Sequence, residues 1–411
     1  MNDLMLMLAA IVVIVLGSIV SVRSPKAGLY GAILALIIAF LACDSPQYGV
    51  FIFAIAILNL ASLGALKSKI QGIDYGLVGL MGVVTMYIFN TADLSLVLAS
   101  LVLVSTPTYL LVMIREGGVD VEVGIKYITF MVIATVLFLI GAVILATEIK
   151  SLYILGYVTL VIGLALEVGI APLHEWVPDI FARADPVPVS IIASMAKVVP
   201  FVAAMRILYS TSTELTTAVT VFTAVLAAVS MFIGNIGALT SKEPARVLGY
   251  STVANMGYVL SCMVAVINPE FLGIALAGGL LLLFSNAAGK IGFLNAIKGE
   301  NAYSPLMYLL AFSFLGVPPL LGFWGKLFVA IALLKVGYLW LAAILVINAA
   351  ISIPYYLRLA KVLGGDWHIN FTNIIAVAVV IFVMVTIIPP TWFVEAIETL
   401  IPLLGLTGIG G

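Results

Sequence analysis

Cysteine and histidine are almost missing from this sequence. It has two of each: Cys43 and Cys262, His174 and His368. An iron–sulfur cluster or a structural zinc needs about four such ligands, usually paired at short spacing, so neither can form on this chain. A glycine-rich dinucleotide fingerprint and a phosphate loop are missing as well. The chain therefore carries no redox centre and no ATP site of its own. Energy for any transport has to come from an ion gradient or from a partner. Charge is scarce too. At 9% of residues it lies far below the roughly 25% of an ordinary soluble chain. A net charge of −1 gives no basis for binding nucleic acid.

What fills the sequence instead is apolar. Of the 411 residues 64% are hydrophobic, and helix-length apolar runs follow one another from Leu4 to Pro389 with no soluble insert. At about 20 residues per span the pattern predicts an all-α integral membrane protein of about fourteen transmembrane helices. They fall near 5–22, 27–43, 47–66, 74–91, 94–114, 124–147, 152–177, 187–210, 215–238, 245–266, 270–297, 303–334, 337–361 and 370–389. The first run has no cleavage-site pattern after it and reads as a retained span. With the N-terminus outside, the inner loops collect Arg23, Lys67, Lys69, Arg115, Arg246 and Arg358 among others, and the outer loops little beyond Lys150 and Lys335. That is a positive-inside bias. It predicts a multi-pass protein of the cytoplasmic membrane with both termini outside.

Two of these helices are interrupted. The seventh carries Gly169 and Pro172; the twelfth carries Gly316, Pro318, Pro319, Gly322 and Gly325, with Lys326 beside them. Proline removes a backbone donor, and broken backbone is tolerated in a membrane only where protein or a wet cavity surrounds it. The interruptions lie five helices apart. That layout predicts two repeats of inverted topology, helices 4–8 and 9–13, with ion sites at the broken helices. The expected units within one polytopic domain are 1–70, 71–212 (first repeat), 213–362 (second repeat) and 363–411.

An ionisable residue inside the bilayer is a functional-site candidate by default. Lys197 lies well inside the eighth helix and must pair, reach water or lose its proton; it reads as an ion-carrying site or a static partner of Glu167. Glu167, near the loosened end of the seventh helix, feels burial and a neighbouring cation in opposite senses, so a titrating group and a fixed counter-ion are both open. Lys326 has two further apolar turns after it, which disfavours snorkelling. Lys290, with Asn286 one turn before it, is a relay residue or an interhelical anchor among small residues. His174 is a proton-entry candidate or a helix-end cap. Lys126 opens the sixth helix and can snorkel. Asp179, Arg183 and Asp185 are expected to order the inner loop, and Arg246 to do so before the tenth helix.

Several of these stretches resemble one family. Pro172-Leu173-His174-Glu175-Trp176-Val177-Pro178-Asp179 followed by Pro186-Val187-Pro188-Val189-Ser190 is similar to the helix 7–8 loop of the antiporter-like membrane subunits. These subunits are shared by respiratory complex I, energy-converting membrane-bound hydrogenases and multisubunit Na⁺/H⁺ antiporters. Gly316-Val317-Pro318-Pro319-Leu320-Leu321-Gly322-Phe323 with Lys326 resembles the family's broken helix 12. Arg246-Val247-Leu248-Gly249-Tyr250-Ser251 and Tyr355-Tyr356-Leu357-Arg358 fit as well. The likeness runs from about Tyr109 to Arg358.

The resemblance implies fourteen helices, inverted repeats and a hydrated chain of charges across the midplane, with Lys197, Lys290 and Lys326 as its lysines. Two positions depart from the family. Its helix 5 glutamate, five residues before a proline, falls on Val102, counting from Pro107. Its helix 7 lysine falls on Glu167. If the carboxylate has moved to helix 7, it needs a new cation, and a direct or water-bridged Glu167–Lys197 contact is expected.

The function implied is an ion-translocating (proton or sodium) subunit of a redox-driven complex. Iron–sulfur, flavin or nickel centres would then sit only on partner chains, and other membrane subunits, related antiporter-like ones among them, would surround this one with lipid. A subunit of a Na⁺/H⁺ antiporter without a redox arm, and a spacer that has lost transport in its first half, are the alternatives. The chain ends soon after its last helix, which favours one of the shorter, inner-type subunits.

Overall fold

Because apolar runs of helix length dominate the sequence, the chain must satisfy its backbone within each segment, and an uninterrupted helix does that. The computed structural model describes residues 2–66, 70, 72–91, 93–299 and 301–395, without the side chains of Asn2 and Asp3. Lys67, Lys69 and the tail 396–411 lie outside the described residues, so the loop-charge pattern and the last expected unit are only partly visible.

The helices run in order as α1 (Asn2–Ser21), α2 (Pro25–Leu41), α3 (Pro46–Leu63), α4 (Ile73–Tyr87), α5 (Leu94–Leu111), α6 (Val121–Ala146), α7 (Tyr153–Val168), α8 (Trp176–Arg183) and α9 (Pro186–Ser194). There follow α10 (Val198–Ser210), α11 (Thr216–Thr240), α12 (Pro244–Cys262), α13 (Leu272–Lys298), α14 (Ser304–Leu315), α15 (Leu321–Lys335), α16 (Leu339–Ile351), α17 (Ile353–Val362) and α18 (Phe371–Met384). Among the described residues ten segments are long and apolar enough to cross a membrane, and four shorter apolar helices accompany them. Starts are marked by side-chain caps. Asp93, Asp120, Asp185 and Asn370 each accept from backbone N–H groups of the first turn they precede, which satisfies donors the helix cannot.

Two short ladders are the only strands among the described residues. An antiparallel pair, β1 (Ile114–Arg115) and β2 (Gly118–Val119), forms the turn between α5 and α6. A parallel pair, β3 (Ala302–Tyr303) and β4 (Gly364–Gly365), ties the entry of α14 to the exit of α17.

Burial is graded from rim to centre. The α9–α10 segment is 94% buried and the first helix 22%, so the rim faces outward and α9–α10, α12 and α13 form the core. Glycine brings neighbours close where α6 meets α7. A Cβ on Gly141 would lie 2.3 Å from the Leu160 nitrogen, and one on Gly163 would lie 2.4 Å from that of Phe138.

The two expected interruptions are present: α7 stops at Val168 before α8, and α14 stops at Leu315 before α15. Two more were not expected. The eighth and thirteenth helices, read as continuous over 187–210 and 337–361, divide into α9 and α10 at Met195–Lys197 and into α16 and α17 at Ser352. Pro200 and Pro354 sit in the first turns of α10 and α17, where each lacks the N–H that would carry the ladder back across the turn.

Candidate functional site

A helix that ends inside the protein leaves its last carbonyls without partners. Both interrupted helices end the same way. Gly169 closes α7 at φ 81, ψ 51 and Gly316 closes α14 at φ 82, ψ 44, left-handed values that glycine adopts without steric cost. Three residues after each comes a proline in a cis peptide, Ala171–Pro172 and Pro318–Pro319. The glycine N–H groups return to Ala165 and Phe312 at 3.0 and 3.1 Å, and the next residues, Ile170 and Val317, donate to the same two carbonyls.

The remaining carbonyls are met by lysine. The Lys197 Nζ donates to the Val168 carbonyl at 2.8 Å, and the Trp176 indole N–H covers the Leu166 carbonyl at 3.1 Å. In the second break the Lys326 Nζ donates to the carbonyls of Phe314 at 2.8 Å and Leu315 at 3.1 Å. Each lysine thus places its charge at the negative end of a half-helix, and each touches the residue just before the left-handed glycine. Lys197 reaches its position from the turn that divides α9 from α10; Lys326 reaches it from the first turns of α15.

Lys290 stands between them on α13 and is wholly buried. Its Nζ donates to the Leu248 carbonyl at 2.5 Å and to the Ser251 hydroxyl. All three ammonium groups face aromatic rings: Lys197 over Trp176 at 5.8 Å, Lys290 over Phe181 and Phe314 at 5.7 and 5.3 Å, Lys326 over Tyr258 at 5.0 Å. Such contacts favour a desolvated cation by roughly 2 kcal/mol. Phe314 joins two of the lysines, with its ring under Lys290 and its carbonyl bonded to Lys326. Among the described residues none of the three has a carboxylate within 4.0 Å. The structure therefore brings Lys197, Lys290 and Lys326 into one buried band between the two breaks.

Glu167 sits at the edge of that band, but not as an ion pair. Lys197 is spent on the carbonyl of the next residue, and no Glu167–Lys197 salt bridge forms. The carboxylate accepts instead from the Ser105 hydroxyl at 2.6 Å and from the Thr135 hydroxyl at 3.2 Å. Val102, taken by counting as the helix 5 position opposite Glu167, is 41% exposed on the outer face. Ser105, one turn later on α5, is the residue that faces Glu167. The count from Pro107 fixes a sequence offset and not the side of the helix that the position faces.

Other candidates lie outside the band. His174 is partly exposed, with Nδ1 3.3 Å from the Pro172 carbonyl and its ring 6.3 Å from that of Tyr250. Lys126 pairs with Asp179, which also binds Arg183 at 3.1 Å, so these residues tie α6 to α8. Arg246 pairs with Glu243 at its own helix start, and Asp185 binds Lys298 at 2.7 Å. Asn286 donates to the Ala193 carbonyl at 3.3 Å, and its buried oxygen has no protein partner.

Sequence reasoning missed a second polar group beside Lys326. Asn235 donates to Asn348 at 2.9 Å and to the Tyr258 hydroxyl, and accepts from the Tyr355 hydroxyl at 2.8 Å. The available signal was asparagine in otherwise apolar runs, at 235 and 348.

Comparison with known proteins adds the following. The family model described as NADH:quinone oxidoreductase/Mrp antiporter, transmembrane, matches residues 91–352. Among curated relatives, NADH-quinone oxidoreductase subunit N of Neisseria gonorrhoeae is 31% identical over 71% of this chain and 66% of its own length, just under two thirds. That of Coxiella burnetii is 30% identical over 72% of this chain and 69% of its own. Among solved structures, a chain of respiratory complex I from Thermus thermophilus superposes with TM-score 0.75 at 24% identity, covering 96% of this chain and 99% of that one. A chain of the Mrp complex from Dietzia sp. DQ12-45-1b does so with TM-score 0.82 at 16% identity, covering 99% and 98%. At these identities the structural likeness establishes the fold.

Proposed function

Because the chain belongs to the NADH:quinone oxidoreductase/Mrp antiporter family, we propose that it is an ion-translocating membrane subunit of a redox-driven, complex I-like assembly, moving protons or sodium ions while partner chains do the redox chemistry. The observation that carries this reading is the buried band of Lys197, Lys290 and Lys326. A lysine locked to a carboxylate inside protein is costly to change, because removing one partner strands the other. These three are held by carbonyls, a hydroxyl and aromatic rings, which leaves each free to gain and lose a proton without stranding an opposite charge.

The geometry also links charge to shape. When Lys326 holds its proton, a full positive charge sits at the two open carbonyls of α14; when it gives the proton up, the neutral amine can still donate to them but the charge that favours the negative end of the half-helix is gone. The end of the half-helix is therefore sensitive to the charge of the lysine, and Lys197 stands in the same relation to α7. The equivalent breaks at Gly169 and Gly316, and the paired divisions of the eighth and thirteenth helices, support two repeats over 71–212 and 213–362. The loop-charge bias supports placement in the cytoplasmic membrane with both ends outside.

A second reading, a subunit of a Na⁺/H⁺ antiporter without a redox arm, is favoured by the likeness to the Mrp complex chain. Affinity purification of the tagged chain from its native membrane decides between the two. The proposal expects co-purifying subunits with iron–sulfur, flavin or nickel centres and ion uptake into liposomes on addition of electron donor and acceptor. An assembly lacking such centres that exchanges sodium for protons would overturn it.

A further inference from the structure

In its second half α1 lies against α4 along a line of small residues. A Cβ on Gly76 would sit 2.3 Å from the Ser18 hydroxyl, so the helices meet there with no long side chain between them. Longer side chains stand on both sides of that line. Val15, Ile19 and Val22 on α1, and Ile73, Leu77 and Leu80 on α4, follow one another at four and then three residues. They wall an apolar groove of about 400 Å³ that opens outward from the rim. Gly72 ties one end of the groove to the turn between α1 and α2. A Cβ on it would lie 2.6 Å from that of Ser21 and 3.2 Å from the Pro25 Cα. That turn carries Arg23 and Lys26. Both are exposed, and neither has a carboxylate within 4.0 Å among the described residues. Tyr30, one turn after Lys26, is 64% exposed, and tyrosine gathers at the membrane–water interface.

We infer that this groove holds an acyl chain of an anionic phospholipid, with the headgroup phosphate on Arg23 and Lys26. The inference goes beyond the ion-translocating role and does not depend on it. Length selects a lipid over a partner's helix. From Val15 to Val22 the groove runs about 10 Å at 1.5 Å per residue, against about 15 Å for one leaflet of a hydrocarbon core roughly 30 Å thick. A helix of another subunit crosses both leaflets. An acyl chain occupies one, and starts at the headgroup level where the two cations stand. Toward the other end of α1, Met7 and Ala10 are buried, so the helix closes on the body of the protein and the groove does not continue. Charge selects the headgroup. A guanidinium presents a fork of donors that matches phosphate oxygens, and the ammonium of Lys26 adds a second positive charge. A zwitterionic headgroup brings its own cation, so two unpaired cations favour an anionic one. In the proposed orientation the site faces the inner leaflet, whose anionic lipids attract basic residues beside a membrane helix.

The test is photo-cross-linking of the purified, fully assembled complex in phosphatidylcholine vesicles that contain a trace of a phospholipid with a diazirine on its acyl chain. The probe is phosphatidylglycerol in one sample and phosphatidylcholine in the other, and labelled peptides are identified by mass spectrometry. Each basic residue near the surface favours an anionic lipid by about fivefold. The phosphatidylglycerol probe should therefore label residues 14–22 and 73–80 roughly 30-fold more than the phosphatidylcholine probe does. R23Q and K26Q should each lower that preference by about fivefold, and the double variant should abolish it. V15W together with I19W fills the groove while leaving both cations in place, and should remove the label. Equal labelling by the two probes in wild type would overturn the inference without recourse to any variant. A preference that survives R23Q with K26Q, or a label that survives the filled groove, would also count against it. A neighbouring subunit's helix captured by a short bifunctional reagent on I19C, with no lipid label on wild type, would give the groove to a protein partner and overturn the inference.

Discussion

Lys326→Met separates the helix-closing contact of this lysine from the ion-carrying role proposed for it. Methionine keeps most of the apolar stem and removes the ammonium. The carbonyls of Phe314 and Leu315, bonded to Nζ at 2.8 and 3.1 Å, then lose a donor deep in the protein. A buried polar group left unpaired costs about 1–3 kcal/mol, so losing both costs on the order of 2–6 kcal/mol. Lys326→Ala should cost less per carbonyl, because the vacated space admits water that repays part of the loss. Lys326→Gln keeps an N–H donor without charge and should restore much of the stability. Lys326→Arg keeps both donor and charge, yet arginine does not release its proton.

The assay has two readouts on one preparation: the melting midpoint of the assembled complex, and ion uptake into liposomes under redox turnover. Melting should rank wild type and arginine above glutamine, alanine and then methionine. Uptake should fall in all four variants, arginine included. A methionine variant that melts and pumps like wild type would refute both the capping and the carrying role.

Three further outcomes follow from the same geometry. Gly316→Ala and Gly337→Ala both force a side chain into left-handed backbone, at φ 82 and 88, for about 1–2 kcal/mol. Only at 316 does the new Cβ meet the Lys326 stem, at 3.1 Å, while 337 is open, so melting should drop alike in the two variants and ion uptake should drop only in the first. Val102→Glu should lower membrane insertion and leave Glu167 unaffected, because Val102 lies on the outer face; improved pumping in that variant would restore the counted position. Glu167→Lys alone places an ammonium among hydroxyls and should destabilise the complex, whereas Ser105→Glu added to it supplies a carboxylate across the same contact and should recover stability. A double-mutant cycle on melting measures this, and simple additivity would show that Ser105 and Glu167 do not face one another in the membrane.

The lysines and the two main breaks were legible because the background is so uniform. In a chain with 64% hydrophobic residues, Lys197, Lys290 and Lys326 stand out singly, and Gly169 with Pro172 or Gly316 with Pro319 can only interrupt a helix. The divisions at Met195–Lys197 and Ser352 were not legible. Pro200 and Pro354 are equally compatible with a helix start and with a kink in a continuous one, and no glycine marks either turn. The surroundings of Glu167 were hidden for a different reason. Ser105 and Thr135 are hydroxyl residues of a kind that membrane helices usually satisfy on their own backbone, as Thr106 does on the Val102 carbonyl, so only the packing of α5 and α6 against α7 reveals that these two turn inward. The Asn235–Asn348 contact joins residues 113 apart, and no local pattern could pair them.

The central claim is that ions cross through this chain along the buried lysines. Lys290 tests it most directly, since it lies wholly inside and touches neither broken helix end through its hydrogen bonds. The measurement is the number of ions taken up per electron pair by the purified complex in liposomes, wild type against Lys290→Met, with electron transfer followed in the same sample. The account predicts a lower ratio in the variant, or electron transfer slowed along with uptake. An unchanged ratio at an unchanged rate of electron transfer would contradict it.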